Sequence, residues 1–254
     1  AQVWFLTGTS SGREIALLNT SHAGHKVAAT SRSASRLIEA AGHQKGPNFL
    51  PLEVDLNNEQ SIKKAIDETL KHFNVKSIDI VINCAGYDTI GSVEEFTVDE
   101  VQTMFNVNCF SVHKVVRNVL PHMRAAKSGL IINISSIAAL TLHSYHEIYG
   151  AAMTEVLAQE VAPFGSKVLL IESGPFETKF YSPSNIKQVK ALFPKMLGDP
   201  ECAAKIIIEV SQLPEMPKLL FLGKPCISYA EGKADLIKSE IKKYTKYIEG
   251  ADFQ

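Results

Sequence analysis

Val3-Trp4-Phe5-Leu6-Thr7-Gly8-Thr9-Ser10-Ser11-Gly12-Arg13-Glu14-Ile15-Ala16 opens the chain with a short apolar run, a loop of small polar residues and the start of a helix-like segment. A strand that ends in such a loop and runs into a helix presents glycines where backbone can approach a phosphate, and free helix amides to receive it. A plain strand-to-helix turn, with no phosphate, is the ordinary alternative. What raises the first reading is the rest of the chain.

Short apolar runs recur at Val27–Ala29, Phe49–Val54, Ile78–Ile82, Leu130–Ile134, Val168–Ile171 and Leu219–Leu222. They are apolar on consecutive residues, as strands buried on both faces are, and the segments between them are long enough for crossover helices. This alternation predicts an α/β fold: a Rossmann-like doubly wound parallel sheet in one domain over 1–254, with an extra C-terminal helix. Asn57 or Asn58 is placed to cap a helix through Phe73, and Val98–Met123 reads as one longer helix with Pro121 near its end. Gly198-Asp199-Pro200 introduces a helix through Val210. Tyr229–Ile248 spaces Leu236, Ile237, Ile241, Tyr244 and Ile248 helically, with lysines between, as a helix packed on the body or on a second subunit would.

The 254 residues are 45% hydrophobic with a formal net charge of −1, enough for a full core and without electrostatic attraction to nucleic acid or an anionic membrane. A small-molecule partner is expected instead. Cys84, Cys109, Cys202 and Cys226 are far apart and form no Cys-x-x-Cys pair, so neither a zinc site nor a disulfide framework is predicted. The opening apolar run is far shorter than a membrane span needs, and the expectation is a cytoplasmic protein.

A second stretch, Ser135 to Met153, sets a hydroxyl pair at the end of an apolar run and Tyr149 at the start of the next helix, a spacing suited to acid/base chemistry on an oxygen. His143, His146 and Glu147 precede Tyr149. Their order is not His-Glu-x-x-His, which argues against a metal, and His143 and His146 are read as candidate pocket residues.

Taken with Thr7-Gly8-Thr9-Ser10-Ser11-Gly12, Asn83-Cys84-Ala85-Gly86 and Asn106-Val107-Asn108, these features resemble the short-chain dehydrogenase/reductase family from Val3 to about Glu240. The resemblance implies an enzyme on a small organic carbonyl or hydroxyl compound, with Ser136, Tyr149 and Asn108 as catalytic residues. It implies that Gly8, Ser10, Ser11, Gly12, Arg32, Asp55, Asn83, Ala85, Gly86 and Thr178 contact a nicotinamide cofactor, with Arg32 favouring NADP(H). It further implies a homodimer, paired through the helices read as Val98–Met123 and Ile148–Val161. Phe176 and Met153 are assigned to the substrate pocket.

The chain departs from the family pattern in several places. The third glycine of the cofactor loop is absent, either because Glu14 replaces it or because two residues are missing. Met153 stands where the family's lysine, one turn after the tyrosine, lowers the phenol's pKa and holds the nicotinamide ribose. A neutral phenol, with an unperturbed pKa of about 10, remains a competent acid but a poor base near neutral pH. Pro becomes Ser173 in the turn after the sixth run, and Tyr181–Leu197 is short for a substrate lid. Because the losses fall on cofactor contacts, non-redox chemistry (isomerisation, cyclisation or dehydration) is preferred by a narrow margin. The alternatives are an NADPH-dependent carbonyl reductase and a non-catalytic binding protein.

Overall fold

Among the described residues seven parallel strands form one sheet in the order β3-β2-β1-β4-β5-β6-β7. They are β1 (Val3–Leu6), β2 (Lys26–Ser31), β3 (Phe49–Glu53), β4 (Ile80–Asn83), β5 (Gly129–Ser136), β6 (Ser166–Ser173) and β7 (Leu219–Leu222). The computed structural model describes residues 1–9, 24–41, 46–87, 93–137, 152–176 and 198–249. The described helices are α1 (Ala34–Ala40), α2 (Glu59–Phe73), α3 (Val98–Phe105), α4 (Ser111–Ala126), α5 (Ala152–Val161), α6 (Pro200–Ser211) and α7 (Lys224–Glu249).

Alternate strand residues feed two cores, one on each face of the sheet. Trp4, Leu6, Ile80, Ile82, Ile132 and Ile171 pack with Leu37 of α1 and with Ala203, Ala204 and Ile207 of α6. On the other face, Val3, Phe5, Val81, Ile131 and Val168 meet Ile62 and Ile66 of α2, Val115 and Val119 of α4, and Val161 of α5. A sheet covered on both sides explains why its strands show no polar alternation.

The order reverses at β1, which pairs with β2 on one side and β4 on the other. The carboxyl ends of these strands therefore flank a crevice, the usual ligand position in an open α/β sheet. β5 and β6 run beyond their apolar stretches, because the ladder continues through Ser135↔Glu172 and Ser136↔Ser173.

The expected α2 cap is Asn58, whose Oδ1 accepts from Gln60 N at 2.9 Å and Ser61 N at 3.3 Å. The helix expected over Val98–Met123 runs unbroken with a π-turn inside it: α3 reaches Phe105, the π-helical turn spans Asn106–Phe110, and α4 continues from Ser111. Such a turn accommodates an extra residue without ending the helix, which apolar periodicity does not reveal. Pro121 lies within α4, which continues to Ala126. The final helix begins at Lys224, with Pro225 in its first turn, where the missing N–H has no intrahelical partner to lose.

Candidate functional site

At the end of β1, Thr7 Oγ1 accepts from Cys84 N at 3.1 Å and Ala85 N at 3.2 Å. One hydroxyl thereby ties the ends of β1 and β4 together. Gly8 follows with φ +77°, and a Cβ there would stand 2.5 Å from Ala85 Cα. Contact between strand ends is therefore enough by itself to require glycine at this position. Thr9 secures the other side, its N–H and its hydroxyl both donating to Thr30 O at 3.0 Å.

Below this crevice lies a buried chain of polar side chains. Asn83 Nδ2 donates to Asn133 Oδ1 at 2.8 Å, and Asn133 Nδ2 donates to Thr154 Oγ1 at 3.1 Å. The chain fastens β4 to β5 and β5 to α5, immediately after Met153. Asn83, expected among the cofactor contacts, thus turns its side chain into the sheet. Its Oδ1 is buried without a hydrogen-bond partner among the described residues. Asn133 and Thr154 were missed by motif reading. The available signal was an asparagine inside an otherwise apolar strand, which demands a buried partner.

Asn108 lies within the π-helical turn. Its Nδ2 donates to Tyr87 O at 2.8 Å and its Oδ1 accepts from Tyr87 N at 3.1 Å. Both backbone groups of the residue beyond Gly86 are satisfied by one amide, which holds the segment after β4 against the helix. π-Turns are often found at functional sites.

Ser136, the candidate catalytic serine, is half-buried at the end of β5. Beside it, Ser135 and Glu172 share a register position on one face of the sheet. Ser173 Oγ donates to Ser135 O at 3.1 Å, linking the same two strand ends. Glu172 is 4% exposed and its Oε2 has no hydrogen-bond partner among the described residues. Burial pushes its carboxyl up to about 7, partly offset by a hydrogen bond with the Ser135 side chain. Glu172 carries no role in the sequence reading, and Ser135 enters it only as one of the hydroxyl pair. An acid following the apolar run Val168–Ile171 was the available sign.

The outer positions are solvent-facing: Arg32 follows β2 and Asp55 follows β3, both exposed. Asp55 Oδ1 accepts from Asn57 N at 2.9 Å, and its own N–H donates to Ser61 Oγ at 3.1 Å, so it also orders the approach to α2. Glu53 Oε2 accepts from Ala34 N at 3.3 Å, setting a carboxylate on the first turn of α1, two residues from Arg32. Ala85 and Gly86 are half-buried at the crevice.

Phe176, expected in the pocket, is 7% exposed and packs into the core on the α6 side. Its burial has a steric basis: the Gly198 backbone lies so close that a Cβ there would be 2.5 Å from the Phe176 ring. Ser10, Ser11, Gly12, His143, His146, Tyr149 and Thr178 lie outside the described residues, as does the side chain of Met153. Among the described residues no group of three His, Cys, Asp or Glu side chains is arranged to hold a metal, and no helix is long and apolar enough to cross a membrane.

Residues 2–189 match the model of the short chain dehydrogenase family. The chain is 35% identical to a 3-ketodihydrosphingosine reductase of Bacteroides thetaiotaomicron over 195 residues, covering 74% of this chain and 69% of the relative. A short-chain dehydrogenase from Streptomyces avermitilis superposes with a TM-score of 0.88 at 28% identity, over 99% of this chain and 98% of that one. A short chain dehydrogenase from Burkholderia cenocepacia in complex with NADP shares the fold, with a TM-score of 0.77 at 23% identity over 96% of this chain and 97% of the other.

Proposed function

The chain belongs to the short-chain dehydrogenase/reductase family, and on that premise we propose that it is an NADP(H)-dependent reductase of a small organic carbonyl compound. The observation that carries the reading is the pairing of Asn108 with both backbone groups of Tyr87 beside the strand ends that bear Ala85, Gly86 and Ser136. That pairing fixes the segment that follows β4, next to the switch point. The relatives named as reductases and dehydrogenases favour redox chemistry. They lend no support to the non-redox preference drawn from Met153, so reduction takes first place.

The described residues suit a dinucleotide laid across the carboxyl ends of β2, β1 and β4. Exposed Arg32 and Asp55 would meet its adenosine end, and half-buried Ala85 and Gly86 would lie along its course. Arg32 would meet a 2′-phosphate, with the Glu53 carboxylate already occupying the nearby α1 amide and opposing a second anion there. Gly8, Ser10, Ser11 and Gly12 would hold the pyrophosphate, Asn83 would support the adjoining strand end, and Thr178 the carboxamide. When bound, NADPH supplies hydride to the carbonyl carbon.

The chain's own residues act on the oxygen. Ser136 hydrogen-bonds it, and the Tyr149 phenol donates the proton that completes the alcohol. With Met153 in place of a lysine, no ammonium at that position lowers the phenol's pKa, which suits donation and disfavours the reverse abstraction. His143 and His146 would line the entrance. The partner expected in solution is a second copy of the chain.

Titration with NADPH, followed by absorbance at the nicotinamide band while ketones are supplied, tests the reading. Ketone-dependent oxidation that falls at least about a hundredfold in Tyr149→Phe is expected. Turnover that needs Tyr149 but no nicotinamide would replace reduction by isomerisation, cyclisation or dehydration, the reading that Met153 motivates. If Tyr149→Phe and Ser136→Ala leave every activity unchanged, the catalytic assignment is wrong and a binding role takes its place.

A further inference from the structure

Helix α5 turns Thr154, Leu157, Ala158 and Val161, spaced by three and four residues, towards the sheet. Leu157, Ala158 and Val161 pack into the core on the α2 and α4 side. Thr154 instead meets Asn133 of β5, whose Nδ2 donates to its Oγ1 at 3.1 Å. Thr154 is 5% exposed and Asn133 7%, and Asn133 is held in turn by Asn83 Nδ2, which donates to its Oδ1 at 2.8 Å. Among the described side chains of α5, Thr154 alone hydrogen-bonds the sheet.

The two kinds of contact constrain the helix differently. Apolar packing is non-directional, so a helix held by it alone can slide or turn on its axis at small cost. A buried hydrogen bond is lost once donor and acceptor part beyond about 3.5 Å, and its groups are then left desolvated and unpaired. The bridge therefore fixes the height and the rotation of the start of α5 against β5.

Both of its ends adjoin residues assigned to the chemistry. Asn133 lies three residues before Ser136 on β5, and Thr154 lies five residues after Tyr149 in the chain, directly after Met153. We propose that Thr154 and Asn133 are positioning residues for proton transfer, their hydrogen bond setting the segment that bears Tyr149 against Ser136, which rests on the reading that these two act on the substrate oxygen. With methionine at 153 no ammonium is available there to tether the same segment to a bound cofactor, so the buried bridge carries that task.

Thr154→Val keeps a branched side chain and removes the acceptor. In hydrogen exchange of the full chain, the peptide that carries Tyr149 should exchange roughly three- to tenfold faster in this variant and return to the parent's rate in Thr154→Ser. In ketone reduction with NADPH, kcat should fall roughly ten- to hundredfold in Thr154→Val, with NADPH affinity unchanged and a larger solvent deuterium isotope effect, because proton transfer slows relative to the other steps. Thr154→Ala serves the same purpose if valine prevents folding. Asn58→Ala, which weakens the cap of α2 far along the chain from α5, should move neither the exchange of that peptide nor the isotope effect. Unaltered exchange at the Tyr149 peptide in the valine and alanine variants overturns the bridge. So does a loss of turnover that Thr154→Ser fails to rescue or that Asn58→Ala matches. If the parent oxidises no NADPH with any ketone while exchange responds as expected, the reductase reading falls and the bridge stands.

Discussion

Glu172 is the residue whose chemistry the fold changes most among those described. Its carboxyl rises from 4.5 to about 7 because burial opposes the charged form, with the Ser135 hydrogen bond pulling weakly the other way. Among the described residues no charged neighbour contributes to the shift. In the unfolded chain the same group ionises near its ordinary value. Between those two values the unfolded state releases its proton first, so stability falls as pH rises through the window and levels off above about 7. Glu172→Gln should remove that dependence and gain roughly 1–2 kcal/mol over the parent at pH 8, after allowance for screening, with little difference at pH 4. Urea unfolding at a series of pH values measures it, and parallel curves for the two proteins would refute the assignment. Met153→Lys belongs to the same scale: a charge-assisted hydrogen bond to the nicotinamide ribose is worth about 1.5–3 kcal/mol, so NADPH affinity should rise about tenfold or more. Unchanged affinity in a calorimetric titration would place the larger defect in the loop around Gly12.

Elements were readable wherever their signals are local. Asn58 caps α2 through its own side chain, and Asp199 accepts from Glu201 N at 2.8 Å at the start of α6, as the sequences Asn57-Asn58 and Gly198-Asp199-Pro200 suggested. Asn58→Ala removes two accepted amide bonds and should lower unfolding free energy by about 1 kcal/mol, measured by denaturant midpoint with an unchanged slope. The π-turn within Val98–Met123 was not readable. The apolar positions of α3 and α4 keep a helical period through the π-turn, and its clearest consequence, the pairing of Asn108 with Tyr87, joins residues 21 apart in sequence.

For the whole molecule, ligand and fold are thermodynamically linked. If NADPH binds the native crevice and not the unfolded chain, a hundredfold excess over its dissociation constant should raise stability by about 2.7 kcal/mol. A thermal shift that grows logarithmically with NADPH and is weakened in Arg32→Ala is the expected record. An Arg32→Ala shift equal to the parent's would remove Arg32 from the cofactor assignment.

Strand existence, the parallel doubly wound class and the helix caps followed from the sequence, because buried strands, crossover lengths and capping side chains are all written within a few residues. The family resemblance followed too, since Thr7-Gly8, Asn83 to Gly86, Asn108, Ser136 and Tyr149 are local motifs. The tertiary structure alone decided that Asn83 turns to Asn133 and Asn133 to Thr154, that Phe176 enters the core, and that Glu172 is desolvated beside Ser135. It alone left the apolar stripe of α7 uncovered. Each depends on which distant segment lies alongside, and desolvation and packing are properties of that neighbourhood, not of the residue's place in the chain.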